Sequence, residues 1–155
     1  MYEASEKGHV EILMSLLADN PDMDVNWTNV LDFNWTALHV AAFSGHVHIA
    51  KLLLAHPDID VNVKNRFEQT SFLRGCQTGV VSVVQVLLKD PRVDVTLDDN
   101  NGCTPLWWAS RCGKHEVVEW LIASGRDLET SRTRKGKTGI MANTTRPLKL
   151  QEGTR

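Results

Sequence analysis

The chain has 155 residues, 42% apolar and 23% charged, with a formal net charge of −2, so it can bury a continuous core without disulfides or metal and is too apolar for a disordered polymer. No apolar run approaches a membrane span, since stretches such as Ala50 to Ala55 are interrupted by charge, and the opening Met1-Tyr2-Glu3-Ala4-Ser5-Glu6-Lys7 is no secretory signal. Three cysteines, Cys76, Cys103 and Cys112, are too few and too irregular for a disulfide framework, which predicts a reducing, cytoplasmic or nuclear setting.

The first predicted unit starts at Ala4-Ser5-Glu6-Lys7-Gly8-His9 without a threonine-proline turn, as expected of a piece cut from a longer chain rather than of a cap. A long loop, Asn26 to Asn34, follows. A fixed period then sets in: Thr36, Thr70, Thr104 and Thr138 are each 34 residues apart, and Gly45, Gly79 and Gly113 keep the same step. Such a period means stacked supersecondary units. Asn34-Trp35-Thr36-Ala37-Leu38-His39 matches Gly102-Cys103-Thr104-Pro105-Leu106-Trp107, with Glu68 to Leu73 a degraded copy and Gly136 to Met141 a fourth.

Within a unit, Thr104-Pro105 places a side-chain acceptor before a proline, the start of a short helix. Leu106 and Ala109 share a face, and the small pairs Ala41-Ala42, Gly75-Cys76 and Ala109-Ser110 allow close helix approach. The recurring glycines end that helix in the left-handed conformation. Amphipathic runs Val47 to Leu54, Val81 to Leu88 and His115 to Ile122 form the second helices, which end near Pro57, Pro91 and Gly125. Ile59-Asp60-Val61, Val93-Asp94-Val95 and Asp127-Leu128 then lead, extended, into an exposed loop.

Thr36-Ala37-Leu38-His39-Val40-Ala41-Ala42-Phe43-Ser44-Gly45-His46, with the later Asp60-Val61-Asn62, closely resembles the ankyrin repeat. The resemblance covers Tyr2 to Thr138. It implies an all-α solenoid of helix-turn-helix-loop units of about 34 residues, with four repeats at about 2–33, 34–67, 68–101 and 102–135 and a partial fifth at 136–144. The repeat domain thus spans 1–144, and 145–155 is expected to be a polar, exposed tail. Two departures stand out. The units carrying Pro57 and Pro91 are one residue longer than the family's usual length of about 33, and the step from Gly8 to Gly45 is 37. The resemblance also implies that His9, His39 and His46 bond the backbone of neighbouring loops, a structural role and not a catalytic one.

Other chemistry finds weak support. Gly136-Lys137-Thr138 looks like the end of a phosphate loop, but Ser131 stands where that motif needs glycine. Cys103, Cys112 and His115 lack the close cysteine pairs of a zinc site. No hydrolase, metalloprotease or kinase signature is present, so no catalytic residue, metal or cofactor is assigned and the chain is not expected to be an enzyme. Residues 126–155 hold eight Lys/Arg against three Asp/Glu, whereas 1–125 hold nine against sixteen. The basic run Arg132 to Lys137 could touch nucleic acid, yet the acidic repeat body opposes that, and neither a nucleic-acid nor a membrane partner is expected.

What remains is the surface. In such a stack the exposed side of the first helices and the projecting loops line one concave face. Register places Glu3, Val40, Arg74 and Trp108 in one row, Glu6, Phe43, Gln77 and Arg111 in the next, and Lys7, Ser44, Thr78 and Cys112 in a third. Loop tips add Trp27, Leu31, Phe33, Trp35, Arg66 and Phe67, although Leu31 and Phe33 could equally fold over each other within the long first loop. The candidate partner-binding residues are therefore Val40, Phe43, Arg74, Gln77, Trp108, Arg111, Trp27, Trp35, Arg66 and Phe67, since large apolar and arginine side chains not needed in a core make interface hot spots. Trp120 is assigned to the second-helix core row with Leu52 and Leu87. Trp108 should thus matter for binding and Trp120 for folding. The expected function is a monomeric, non-catalytic module binding a protein partner; the alternative is the regulatory or substrate-recruiting part of a larger enzyme whose catalytic domain lies elsewhere.

Overall fold

A computed structural model describes residues 1–128. The end of the fourth repeat, the partial fifth at 136–144, the basic run and the tail at 145–155 lie outside these residues. The described chain forms α1 (Tyr2–Glu6), α2 (Val10–Asp19), α3 (Ala37–Ser44), α4 (Val47–Leu54), α5 (Ser71–Thr78), α6 (Val81–Lys89), α7 (Pro105–Arg111) and α8 (His115–Ala123), with a 3₁₀ turn at Val30–Asp32. No strand occurs among the described residues. None of their helices is long and apolar enough to cross a membrane.

The threonines start the first helices as their chemistry requires. Thr36 Oγ1 accepts the His39 N–H, Thr70 Oγ1 that of Leu73, and Thr104 Oγ1 that of Trp107, each at 3.2–3.3 Å, satisfying donors that have no partner in the first turn. Gly45 (φ +81°) and Gly79 (φ +85°) end α3 and α5 in the left-handed region and turn the chain at once into the second helix. The odd-numbered helices pack side by side in one layer and the even-numbered in another. Ala41, Ala42, Gly75, Cys76 and Ala109 are buried at the contacts of the first layer. A methyl group added at Gly75 would sit 3.3 Å from Val84 Cγ2 and 4.0 Å from the Ala42 methyl, so the two layers meet there at close range.

The core row of the second helices is Leu53, Leu87 and Leu121, all fully buried. This corrects the placement of Trp120, which is 43% exposed. Its register partners are Val86 and Leu52, one residue from the buried leucines, and one residue is about 100° of helix rotation. Trp120 therefore lies beside the seam, not in it.

Between units, polar side chains close the backbone. Asn26 Nδ2 donates to Asp58 O and its Oδ1 accepts from Asp60 N, both at 2.8 Å; Asn62 repeats the bridge to Arg92 O and Asp94 N at 2.8 and 2.9 Å. His39 Nε2 donates to Gln69 O at 2.9 Å and His46 Nε2 to Glu6 O at 3.0 Å. His9 makes no such bond and is exposed. His46 reaches back to the unit before it, and residues 1–128 contain no unit that His9 could reach in that way.

The loops are joined tip to tip. Arg66 N donates to Phe33 O at 2.9 Å and Asn100 N to Phe67 O at 3.1 Å. Each loop closes through a residue at positive φ at the same register position, Asn34 (+59°), Glu68 (+58°) and Gly102 (+75°), with Phe33 (+52°) a second such residue in the first loop. Glutamate holds that conformation at a cost of about 1 kcal/mol that glycine avoids. Glu68→Gly is accordingly expected to raise the urea midpoint by an amount equivalent to about 0.5 kcal/mol or more, its weak 4.0 Å contact with Lys64 offsetting little.

His39 supplies a pH dependence. Its Nδ1 accepts from the Thr36 backbone N–H at 3.2 Å while Nε2 donates to Gln69, so the ring is neutral. Burial holds its pKa down to about 4, against the opposing effect of the Gln69 bond and with Arg74 adding to the depression. The unfolded chain takes up the proton near pH 6.5 and the folded chain only near pH 4. Stability is thus full above about pH 6.5 and is lost progressively as pH falls towards 4, by about 3 kcal/mol in all. Urea midpoints should fall between pH 6.5 and 5, before most carboxylates titrate. His39→Leu, which installs the residue found at the equivalent position 73, should flatten that slope while lowering the midpoint at pH 7.

Candidate functional site

The first helices present one side to the groove, and three of them carry the features of interest. Val40 is removed from the candidate surface: at 3% exposure, on a helix flanked by both α1 and α5, it is enclosed by its neighbours. Phe43, one helical turn further on, is 45% exposed. Arg74 from α5 lies across both units. Its guanidinium carbon sits 4.9 Å from the centroid of the Trp35 ring and 5.1 Å from that of Phe43, and the two rings meet edge-on at 5.3 Å. Such stacking is favourable for a cation over an aromatic face.

Trp35 is not at a loop tip. It stands at the base of the first loop, where its carbonyl accepts the Asn29 N–H at 2.8 Å, and its side chain is half-buried. Gln77, one turn along α5 from Arg74, accepts a hydrogen bond from Arg74 Nη1. Two donors in this cluster, Arg74 Nε and Trp35 Nε1, are buried without a hydrogen-bond partner among the described residues. Burial also pulls the Arg74 pKa below its ordinary value. A desolvated cation with unmet donors is costly in isolation.

On α7 the row ends in two adjacent tryptophans. Trp108 is half-buried, and its Nε1 donates to Asp99 Oδ2 at 2.9 Å. Asp99 Oδ1 in turn accepts the backbone N–H groups of Asn101 and Cys103 at 2.9 and 3.0 Å. Trp108 therefore braces its own loop as well as facing the groove. Trp107 meets it edge-on at 5.1 Å, and Arg111 lies 5.4 Å above the Trp107 ring. Sequence reasoning passed over Trp107 and Asp99. The signal was present: Arg111 stands four residues after Trp107, on the same helix face, and Asp99 takes the register position of Asn65, whose Oδ1 accepts the Phe67 and Gln69 N–H groups.

At the loop tips Phe33 and Phe67 are 47% and 40% exposed and pack together at 5.3 Å. Leu31 projects at 96% exposure, so it does not fold under its neighbours. Arg66 is exposed beside Phe67. Trp27 lies apart from these, edge-on to Tyr2 at 6.2 Å. Tyr2 donates to Asp32 and anchors the long loop on α1. The structure thus brings Trp35, Phe43, Arg74 and Gln77 into one cluster, Trp108 and Arg111 into a second around Trp107, and Phe67 into a third with Phe33.

Comparison with known proteins agrees with this architecture. The family model described as "Ankyrin repeats (3 copies)" matches residues 1–65 and 58–132. The chain is 30% identical over 125 residues to alpha-latrotoxin-Lg1a of Latrodectus geometricus, covering 80% of this chain and 9% of the toxin. It is 37% identical over 91 residues to the human SMC5-SMC6 complex localization factor protein 1, covering 58% and 8% respectively. It is 30% identical over 124 residues to the probable E3 ubiquitin-protein ligase XBOS31 of Oryza sativa subsp. japonica, covering 80% and 27%. In each case the chain spans a minor part of the relative's length. Period, threonine caps, glycine turns and paired helices coincide with a family model that matches most of the chain, and the chain belongs to the ankyrin-repeat family.

Proposed function

We propose that this chain is a non-catalytic scaffold or adaptor, acting as a monomer, that binds a protein partner through the concave side of α3, α5 and α7 and the adjoining loop tips. Ankyrin repeats are protein-interaction modules, and the question is which surface of this one is used. The observation that carries the reading is the run of aromatic and arginine side chains that stay at least partly exposed on consecutive units, Phe43 with Arg74, Phe33 with Phe67, and Trp107 with Arg111. Arginine and aromatic residues in such clusters dominate interface energetics. The second reading, a substrate-recruiting part of a larger enzyme, draws on the resemblance to a probable ubiquitin ligase of which this chain matches 27%. It uses the same face.

The test is a comparison of captured proteins. Immobilised wild type, the double variant Phe43→Ala/Phe67→Ala and the variant Trp120→Ala are each exposed to cell lysate, and retained proteins are identified by mass spectrometry. Proteins held by wild type and by Trp120→Ala should be lost from the double variant; equal retention by all three would place recognition on another surface. Trp108→Ala is expected to affect both properties, because it strands Asp99 Oδ2. Its urea midpoint should fall by the equivalent of about 1–3 kcal/mol, more than that of the part-exposed Trp120→Ala.

A further inference from the structure

The cluster on α3 and α5 has a chemistry that neither packing nor the fold accounts for. Among the described residues the ion pairs are Lys7 with Glu3, Lys64 with Glu68 and Arg92 with Asp90. Arg66, Arg74 and Arg111, the three arginines of the candidate face, belong to none of them. The Arg74 guanidinium lies against two adjoining aromatic rings, and its side chain's one hydrogen bond within the described residues goes to a neutral amide oxygen. A guanidinium fixed in this way has lost much of its water and its rotamer freedom before any partner arrives. A carboxylate placed against it would gain charge-assisted, potentially bidentate hydrogen bonds without that ordering cost. The Gln77 amide N–H groups stand at the same point as further donors. The carboxylate of Asp99, the acid buried beside α7, already accepts two backbone N–H groups and the Trp108 indole N–H. It is committed to its own loop and does not neutralise this face.

We propose that the partner is an acidic, extended peptide segment, one carboxylate of which binds Arg74 at the Trp35–Phe43 cluster while a second binds Arg111 above Trp107. This rests on the concave face being the binding surface. It also sets a spacing. Neighbouring helices lie about 10 Å apart, and an extended chain of polyproline II type rises about 3.1 Å per residue with about three residues per turn, so two acidic side chains on one side of it should be about three positions apart. Apolar side chains between or beside them would rest on Phe43 and Trp107.

The experiment pans a random twelve-residue peptide display library against the full chain, then measures selected synthetic peptides by fluorescence anisotropy. The expected result is enrichment of Asp and Glu at a three-residue spacing. For such a peptide, Arg74→Met should weaken binding at least tenfold, Arg74→Lys should restore only part of the loss, and Lys51→Met on α4 should change nothing. Urea midpoints establish that each variant is folded. Selected peptides without acidic enrichment, or with equal affinity for wild type and Arg74→Met, overturn the proposal. If those peptides still lose affinity on Phe43→Ala, the concave face stands and only the acidic partner falls. Peptides indifferent to Phe43→Ala, Arg74→Met and Trp107→Ala alike, or a library yielding no binder, overturn both. A fifteen-residue oligothymidine that binds more tightly than the selected peptides, and loses that binding on Arg74→Met, would assign the arginines to nucleic acid and overturn the peptide partner.

Discussion

A pair of helices five to ten residues long cannot bury its own apolar face, and every other feature of this molecule follows from that. Each pair has a neighbour to cover it, so Leu53, Leu87 and Leu121 form a seam that runs through successive units and not within any one of them. Short helices are marginal alone. The stack supplies what propensity cannot, and small residues at the contacts set how closely the first-layer helices approach.

Stacking also exposes a polar problem, because loops brought together must satisfy each other's backbone groups. The side chains of Asn26 and Asn62 answer it twice in the same manner, each donating to and accepting from the following unit. Thr96 occupies the next equivalent position and makes no such bridge. There Arg126 takes over, reaching Val93 O and, at 3.5 Å, Asp90 O. His39 does comparable work on the other side of the stack, and burial holds its pKa down to about 4. Cys76 is likewise buried, with its thiol pKa pushed up, and behaves as a small apolar residue.

With core and backbone satisfied by these recurring devices, most outward positions of the first helices carry little structural duty, Trp108 with its bond to Asp99 being the exception. They are the positions where the units differ most: Phe43, Gln77 and Arg111 share one register, yet have nothing chemically in common. In the proposed function the groove is where a rigid frame holds side chains that serve binding and not folding. Arg74 is the extreme case, held by aromatic faces without a counter-charge among the described residues. Family membership identifies the frame, and the proposed recognition rests on these variable residues.

The repeat period, the threonine caps, the glycine turns and the helix pairing were legible in the sequence, because each depends on residues close together in the chain. Thr36 caps α3 through His39 three residues away, and Gly45 turns the chain by its own backbone freedom. Depth was less legible. Val40 was enclosed by helices on either side of its own, Trp35 was drawn from an expected loop tip to the base beneath Arg74, and Trp120 fell about one residue's rotation outside the buried seam. Trp107 and Arg111 came together by simple helical spacing, but the Trp35–Phe43–Arg74 cluster joins a loop base, α3 and α5. The sequence alone determined what each unit is. Only tertiary structure decided which side chains the neighbouring unit covers, because burial here is a property of the contact between units and not of either one's residues.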